Sequence, residues 1–459
     1  MLTQSRLVEE TKASLQLAIP LATAQLAQSA TGFVDTLTMG LLGSEALAAG
    51  GLGAGIFAYS VMLTAGVVSA VSPLVAEAFG ANQPRQVGEI TRQGLWLASL
   101  LSIPLMALIW HGSGLVQLVG QPAQAIALTD SYLTAIVWGV FPALGFAALR
   151  STASALAHAR IVMLIVVIGT AINAIGNYGL ALGKWGLPAL GLAGIGWAST
   201  LSLWSMFAIL LGYLSLHSAF QPYRLFHPLF RFNRAVFTEL VRIGLPIGGL
   251  ISIEGGMFTL ATFLMAQFGT TTLAAHQVAL QTAAIAFNVP LGMSFATTVR
   301  VGQLLGQKDF HGVRLAGIIG IAMGGLFMVS TAILFWTQPQ SIVDLYLNLA
   351  DPENASVLQL AKTMLGIAAI FQIVDGLQVV AAGALRGLKD TRTPMLVAFF
   401  AYWCIGLPTG LTFAYGFGLG GAGIWWGMAT GLAVAALILT TRFLRLSQPR
   451  RSPASSTVY

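Results

Sequence analysis

The sequence is poor in charged residues. Asp, Glu, Lys and Arg make up 8% of its 459 residues and 56% are hydrophobic, whereas roughly 25% of the residues in a soluble domain are charged. This composition excludes a water-soluble globular protein. The single cysteine, Cys404, also excludes an intrachain disulfide.

The sequence also lacks the motifs of most enzymes. It contains no His-Glu-x-x-His segment, no pair of metal-ligating cysteines and no nucleophile elbow. The stretch from Gly179 to Lys184 only partly matches a phosphate-binding loop, because Trp185 stands where that loop needs Ser or Thr. We therefore expect no enzymatic activity, no ATP-driven cycle and no cofactor.

What the sequence does contain is long apolar blocks separated by Gly, Pro or charged residues. Leu95 to Trp110 is one such block, and a helix needs about 20 apolar residues to cross roughly 30 Å of hydrocarbon. The alternation that is typical of a membrane β-barrel is absent. The blocks predict an all-α membrane protein with twelve transmembrane helices, near residues 13–39, 46–78, 88–110, 126–149, 161–182, 190–215, 239–266, 272–300, 313–336, 355–385, 393–416 and 419–444.

The basic residues are distributed unevenly between the predicted connections. All Lys and Arg residues except Lys184 and Lys362 fall on one side of the twelve-helix arrangement. The positive-inside rule then places both termini in the cytoplasm. The net charge of +7 therefore reports membrane orientation, and we expect no nucleic-acid partner.

The two halves of the sequence resemble each other. Pro20 and Pro246, and likewise Gly80 and Gly306, are 226 residues apart. Because each repeat holds an even number of helices, the two six-helix bundles are parallel-related, as in carriers that alternate their access. The alternative is a duplicated membrane scaffold without transport. The predicted division is an amino-terminal lobe of helices 1–6 (1–215), a cytoplasmic connector (216–238), a carboxy-terminal lobe of helices 7–12 (239–446) and a disordered cytoplasmic tail (447–459).

Three acidic residues, Asp35, Glu254 and Asp375, lie inside apolar blocks. A charge at the bilayer centre costs about 2.5–3.5 kcal/mol on insertion scales, and we expect no Lys or Arg deep enough to pair with them. Such acids are protonated, hydrated or neutralised by a mobile cation, which favours a cation-coupled carrier. The alternative is that they are tolerated near helix ends.

Polar residues near these acids suggest where a cation would bind. Asn173 and Asn177 share one face of the fifth helix, so their carbonyls could complete an oxygen shell around Na⁺ held by Asp35. The alternative is hydrogen bonding between helices. Ser199 and Thr200 are weaker candidates for further oxygens. The alternative position for Na⁺ is between Glu254 and Asp375.

Aromatic and sulfur-containing residues near Glu254 suggest a cavity for flat hydrophobic cations. Such a cavity would bind them by stacking and cation–π contact, with core or lipid-facing packing as the alternative for each residue. The candidate cavity residues are Gln28, Met257, Phe258, Phe287 and Gln378.

Several segments together resemble the multidrug and toxic compound extrusion family, in particular its NorM-like branch, over residues 10–445. The resemblance implies two lobes facing a central cavity, with Asp35, Asn173 and Asn177 acting in one lobe and Glu254 and Asp375 in the other. Some relatives have an acid at the position of Asn177, which leaves the ion open. The segments are Ala18 to Asp35, Glu254 to Gly256, Leu273 to Gln277, Asp375 to Gln378 and Ala384 to Gly387.

The resemblance also implies a function. It is export of organic, often cationic and aromatic compounds by antiport with Na⁺ or H⁺, carried out by a monomer in the inner membrane of a bacterium. The alternatives are a flippase for lipid-linked precursors, which would need basic residues in its cavity, and a non-transporting receptor.

Overall fold

A computed structural model of the protein describes residues 4–118, 120, 122–228, 231–347 and 354–448. Within these ranges we number the twelve long helical segments α1 to α12. They are Gln4–Leu42, Ser44–Gly80, Pro84–Trp110, Ala123–Ala155, Ala159–Ala181, Leu192–Leu216, Arg234–Gln267, Thr270–Gly306, Phe310–Thr337, Ala355–Gly387, Arg392–Gly416 and Gly421–Leu446.

The prediction of an all-α membrane fold is confirmed, and the predicted count of twelve spanning helices is close to the eleven found in the described ranges. In the described part of the chain, the segments α2 to α12 are the eleven helices that are long and apolar enough to cross a membrane. The twelfth, α1, has 39 residues and carries Gln16, Gln25, Gln28 and Asp35, which lower its hydropathy. Of the predicted tail, only Ser447 and Gln448 lie among the described residues.

The duplication is visible in the backbone between helices. Gly43 links α1 to α2 with φ of 117°, and Gly269 links α7 to α8 with φ of 97°. Both angles belong to a region that glycine enters without steric cost. Asn82 after α2 and Lys308 after α8 also have positive φ, of 56° and 60°. Both pairs are separated by the same 226 residues as the sequence repeat.

The buried apolar side chains form two large clusters. The first draws on α1 to α6 and takes in Leu240, Ile243 and Ile247 from the first turns of α7. The second begins at Leu250 and extends to Phe443 in α12. We call α1–α6 the first lobe and α7–α12 the second lobe.

The lobes meet at the side of the bundle where the chain begins and ends, which we call the terminal side. Leu17 and Leu21 of α1 pack there against Ala296 and Val299 of α8. Ion pairs join the lobes at the same side: Arg300 to Glu10 at 2.6 Å, Lys389 to Glu77 at 2.7 Å, and Arg6 to Asp309. The contact between the lobes along this side is the seam.

Away from the terminal side, the same helices carry exposed apolar residues. Phe33 and Leu41 of α1 are 64% and 74% exposed, and Phe263 of α7 is 68% exposed. Cross-lobe hydrogen bonds reach as far as Ser29 with Asn288, at 3.0 Å. A cleft between the lobes therefore opens toward the side opposite the termini.

The repeat-related glycines Gly80 and Gly306 allow the closest approach in the seam. A Cβ on Gly80 would collide with the carbonyl of Gln303, and a Cβ on Gly306 with the carbonyl of Glu77. Both collisions involve backbone atoms, which cannot move aside as a flexible side chain can. The two lobes therefore touch backbone to backbone only because neither position carries a side chain.

Gly80→Ala is expected to lower the melting temperature of the protein, because overpacking of this kind costs about 1–3 kcal/mol. The matched control is Gly51→Ala in the same helix, where an added Cβ meets nothing within 4 Å. Alanine is the better helix former by about 1 kcal/mol, so the control should be neutral or stabilised. Equal melting temperatures for the two variants would contradict the close seam.

Candidate functional site

The carboxylate of Asp35 accepts hydrogen bonds from two other helices of the first lobe. The Asn177 amide donates to Oδ1 of Asp35 at 2.7 Å, and the Ser199 hydroxyl donates to Oδ2 at 3.1 Å. The Asn173 amide in turn donates to the Ser199 hydroxyl at 2.9 Å. Three of the predicted site residues and one weaker candidate are thus brought together by α1, α5 and α6.

The local structure of α5 contributes to this arrangement. Asn177 begins a short π-helical stretch, Asn177–Ala181, at the end of that helix. Such stretches change the direction in which side chains point and are frequent at functional sites. Thr200, the other weaker candidate, instead donates to the Ala135 carbonyl at 2.9 Å and is not part of the cluster.

The cluster is rich in oxygen and largely buried. Asn173 and Asn177 are 0% and 1% exposed, and Oδ1 of Asn177 has no hydrogen-bond partner. An unpartnered buried acceptor is costly, and a small hard cation prefers oxygen ligands of this kind. Asp35, Asn173, Asn177 and Ser199 therefore fit a Na⁺ ion. Tyr132 of α4 also interacts electrostatically with Asp35, and no spacing pattern in the sequence pointed to it.

A second acidic cluster lies in the second lobe around Glu254. The Gln378 amide donates to Oε1 of Glu254 at 3.0 Å, and the Tyr402 hydroxyl donates to the same oxygen at 3.4 Å. Asp375 interacts electrostatically with Glu254. The three sequence candidates Glu254, Asp375 and Gln378 therefore come together.

Sequence reasoning missed the aromatic side of this cluster. Tyr402 and its neighbour Trp403 lie in a π-helical stretch of α11, Phe399–Gly406. The indole N–H of Trp403 donates to the Ile253 carbonyl at 3.3 Å, next to Glu254. Each lobe thus presents a partner of its acid from a π-helical stretch in its fifth helix. Only the presence of a tyrosine in an apolar span could have suggested Tyr402.

The remaining cavity candidates lie in different environments. Gln28 is exposed on α1. Phe258 packs edge-on against Phe371 with ring centroids 6.1 Å apart, and Phe287 is partly buried against the core of the second lobe. Met257 is 4% exposed within that core, which favours the packing interpretation for this residue.

Arg386 bears on the expectation that no Lys or Arg lies deep enough to pair with the buried acids. The sequence placed Arg386 just beyond the tenth helix, whereas α10 continues to Gly387 and Arg386 is 8% exposed. It interacts electrostatically with Glu254. Its repeat counterpart Arg150 likewise lies within α4, which continues to Ala155. The sequence interpretation ended both helices a few residues too early.

Comparison with known proteins gives a family match across both halves. The MatE family model matches residues 20–179 and residues 246–412, together more than half of the chain. The two matched ranges begin at Pro20 and Pro246, the first pair of the sequence repeat.

Curated relatives match over nearly the full length. A protein of Synechocystis sp. named "Probable multidrug resistance protein NorM" is 46% identical over 443 residues, which is 96% of each chain. Proteins of the same name from Synechococcus sp. and Pseudomonas aeruginosa are 44% and 43% identical. They match 95% of this chain and 94% and 89% of their own lengths.

Solved structures share the fold. The eukaryotic MATE transporter AtDTX14 superposes with a TM-score of 0.84 at 21% identity, over 96% of this chain and 98% of its own. An outward-facing multidrug resistance MATE transporter superposes with a TM-score of 0.87 at 18% identity, over 95% of this chain and 96% of its own. At these identities the match concerns the fold alone.

Proposed function

The chain belongs to the MatE family, and from that premise we propose that it is a secondary active multidrug efflux transporter. It exports organic, often cationic and aromatic compounds in exchange for Na⁺ or H⁺. The two lobes expose the central cleft alternately to the two sides of the membrane.

The observation that carries this proposal is the pair of acidic clusters, one in each lobe. Asp35 and Glu254 are held by neutral donors, Asn177 and Ser199 in one case and Gln378 and Tyr402 in the other. Neutral donors orient a carboxylate without cancelling its charge. Both carboxylates are therefore available to a mobile cation, as antiport requires, and Arg386 interacts electrostatically with the one of Glu254.

We assign different ligands to the two clusters because their chemistry differs. Asp35 lies among small oxygen donors in a tightly packed site, which suits the coupling ion. Glu254 lies beside Tyr402 and Trp403, whose rings suit an organic cation through cation–π contact, and it interacts electrostatically with Asp375. Because the clusters are in separate lobes, the two ligands do not compete for the same residues. They compete by favouring different arrangements of the lobes.

The family and the charge distribution support the location that we propose. The protein is a monomeric, multi-pass protein of a bacterial cytoplasmic membrane. Both termini lie in the cytoplasm because the Lys and Arg residues concentrate on that side. With this orientation the described cleft opens outward, away from the cytoplasm. The coupling ion is the only inorganic requirement of the proposed cycle.

The lipid-flippase alternative is less well supported. A flippase needs basic residues that can hold a phosphate headgroup, and among the described residues Arg150 and Arg386 line one cavity between the lobes. The cavity that both residues line has a volume of only about 30 Å³, which leaves no room for such a headgroup.

Ethidium efflux from proteoliposomes tests the proposal and identifies the ion. A monovalent cation gains about 2.3 kcal/mol per 100 mV, and a tenfold gradient adds about 1.4 kcal/mol. In a one-for-one exchange with a monocationic drug the electrical terms cancel, so the chemical gradient of the ion drives export. We impose a Na⁺ gradient and a pH gradient separately and expect one of the two to drive efflux. An ionophore selective for that ion should then collapse the gradient and abolish efflux. If folded protein showed no efflux under either gradient, the proposal of an antiporter would be overturned.

A further inference from the structure

Two arginines, one from each lobe, lie inside the seam. Arg150 of α4 and Arg386 of α10 are repeat-related positions, and both lie over the ring of Phe295 in α8. Their guanidinium carbons are 5.4 Å and 6.0 Å from the ring centroid. The two positive charges thus lie around one aromatic side chain, one charge from each lobe.

The charges of these arginines are only partly compensated. Within the described ranges neither forms a salt bridge. Arg150 donates to Oε1 of Gln25 at 3.2 Å, and Arg386 interacts with Glu254 electrostatically. Two guanidinium groups that line one poorly solvated cavity are unfavourable unless something else balances their charges.

Both guanidinium groups line one small cavity. It has a volume of about 30 Å³ and is walled by apolar side chains together with several hydroxyl groups. One of these, Oγ of Ser154, is buried and has no hydrogen-bond partner. A volume of this size suits a single water-sized or monatomic guest. The lining residues are Leu21, Ala24, Gln25, Ser69, Ser72, Arg150, Ser151, Ser154, Phe295, Thr298, Val299 and Arg386.

We propose that this cavity binds one small monovalent anion of the chloride class, held by Arg150, Arg386 and the hydroxyl of Ser154. Guanidinium and hydroxyl donors that converge on a small, partly apolar cavity are the donor set such an anion requires. The volume excludes phosphate esters and organic acids. The site is separate from the Asp35 cluster, whereas its Arg386 also interacts electrostatically with Glu254 of the other acidic cluster.

The position of the site links the anion to the conformation of the lobes. Arg150 belongs to the first lobe and Arg386 to the second, so both donors reach one anion only while the seam is closed. A ligand that binds one conformation stabilises that conformation. The anion therefore favours the arrangement in which the cleft opens away from the terminal side.

The test is a thermal melt of the purified full-length chain, with chloride replaced stepwise by gluconate at constant ionic strength and constant Na⁺. The wild type is expected to show a saturable rise in melting temperature with chloride. Arg150→Gln and Arg386→Gln should each raise the half-saturating chloride concentration at least about tenfold, because each removes a charge-assisted contact. Arg386→Lys, which keeps the charge, should retain part of the response.

The matched control is Arg442→Gln. Arg442 lies at the same side of the bundle but is paired with Asp390 at 2.7 Å, so this variant should keep the wild-type chloride dependence. Equal melting temperatures of the wild type in chloride and gluconate would overturn the proposal, even if the variants fail to fold. Folded Arg150→Gln and Arg386→Gln variants with wild-type half-saturation would also overturn it.

Discussion

Asp35→Asn is expected to abolish ion-driven ethidium efflux, with a loss of about ten- to a hundredfold or more in the rate under the effective gradient. The substitution keeps the size of the side chain and removes its charge. A charge-assisted contact is worth about 1.5–3 kcal/mol, and 1.4 kcal/mol corresponds to a tenfold change. The measurement is the initial rate of efflux from proteoliposomes as the ion concentration is varied.

Asp344→Asn is the matched control for this substitution. Asp344 is exposed at the end of the short helix Pro339–Asp344, outside the spans, so the same chemical change there should leave efflux unaltered. If folded Asp35→Asn protein kept the wild-type ion dependence, the coupling ion would not bind at this site.

Asn177→Ala separates the charge of the site from its geometry. It leaves the Asp35 carboxylate in place but removes the donor at 2.7 Å and the unpartnered Oδ1. The half-saturating ion concentration should rise, while the rate at saturating ion is largely retained. A loss of maximal rate without a change in half-saturation would indicate a structural role instead.

Glu254→Gln is expected to weaken ethidium binding by about ten- to a hundredfold while leaving the ion dependence of efflux unchanged. The reason is that the variant loses the charge that faces Tyr402 and Trp403, whereas the Asp35 cluster in the other lobe is untouched. Charge-assisted contacts set the scale of the loss. The measurement is ethidium fluorescence on binding to the purified protein, combined with the ion titration of efflux.

Glu239→Gln is the control in the same helix. Glu239 is exposed near the start of α7, 3.9 Å from Lys389, and its substitution should preserve ethidium affinity. If folded Glu254→Gln instead binds ethidium normally and loses its ion dependence, the proposed roles of the two acidic clusters must be exchanged.

Most of the architecture could be predicted from the sequence because it depends on local patterns of hydrophobic and polar residues. Each apolar block is long enough to span a membrane by itself. Most of the helix ends of α8, α9 and α11 lie within a few residues of the predicted ones. The repeat of 226 residues was readable from Pro20 and Pro246 and reappears in the paired backbone conformations of Gly43 and Gly269. The acids were readable because a carboxylate in an apolar block is expensive and therefore rare.

The partners of those acids were only partly readable. Asn173 and Asn177 were found because two amides four residues apart share a helix face. Tyr402 and Arg386 were missed, since neither spacing nor composition indicates which residue of a distant helix faces Glu254. Arg386 also lies at the end of a helix, and helix ends are the part of a helix that a sequence predicts least accurately.

The sequence by itself determined the class of the protein, its helix count, its duplication and the acidic residues on which a cation could act. All of these follow from hydropathy and spacing along one stretch of chain, which depend on neighbouring residues alone. The tertiary structure decided which side chains meet across helices: Ser199 joining Asp35, Tyr402 joining Glu254, Gly80 against Gln303, and Arg150 and Arg386 at Phe295. Such contacts depend on how helices rotate and shift against one another, and that is set by the packing of residues far apart in the sequence.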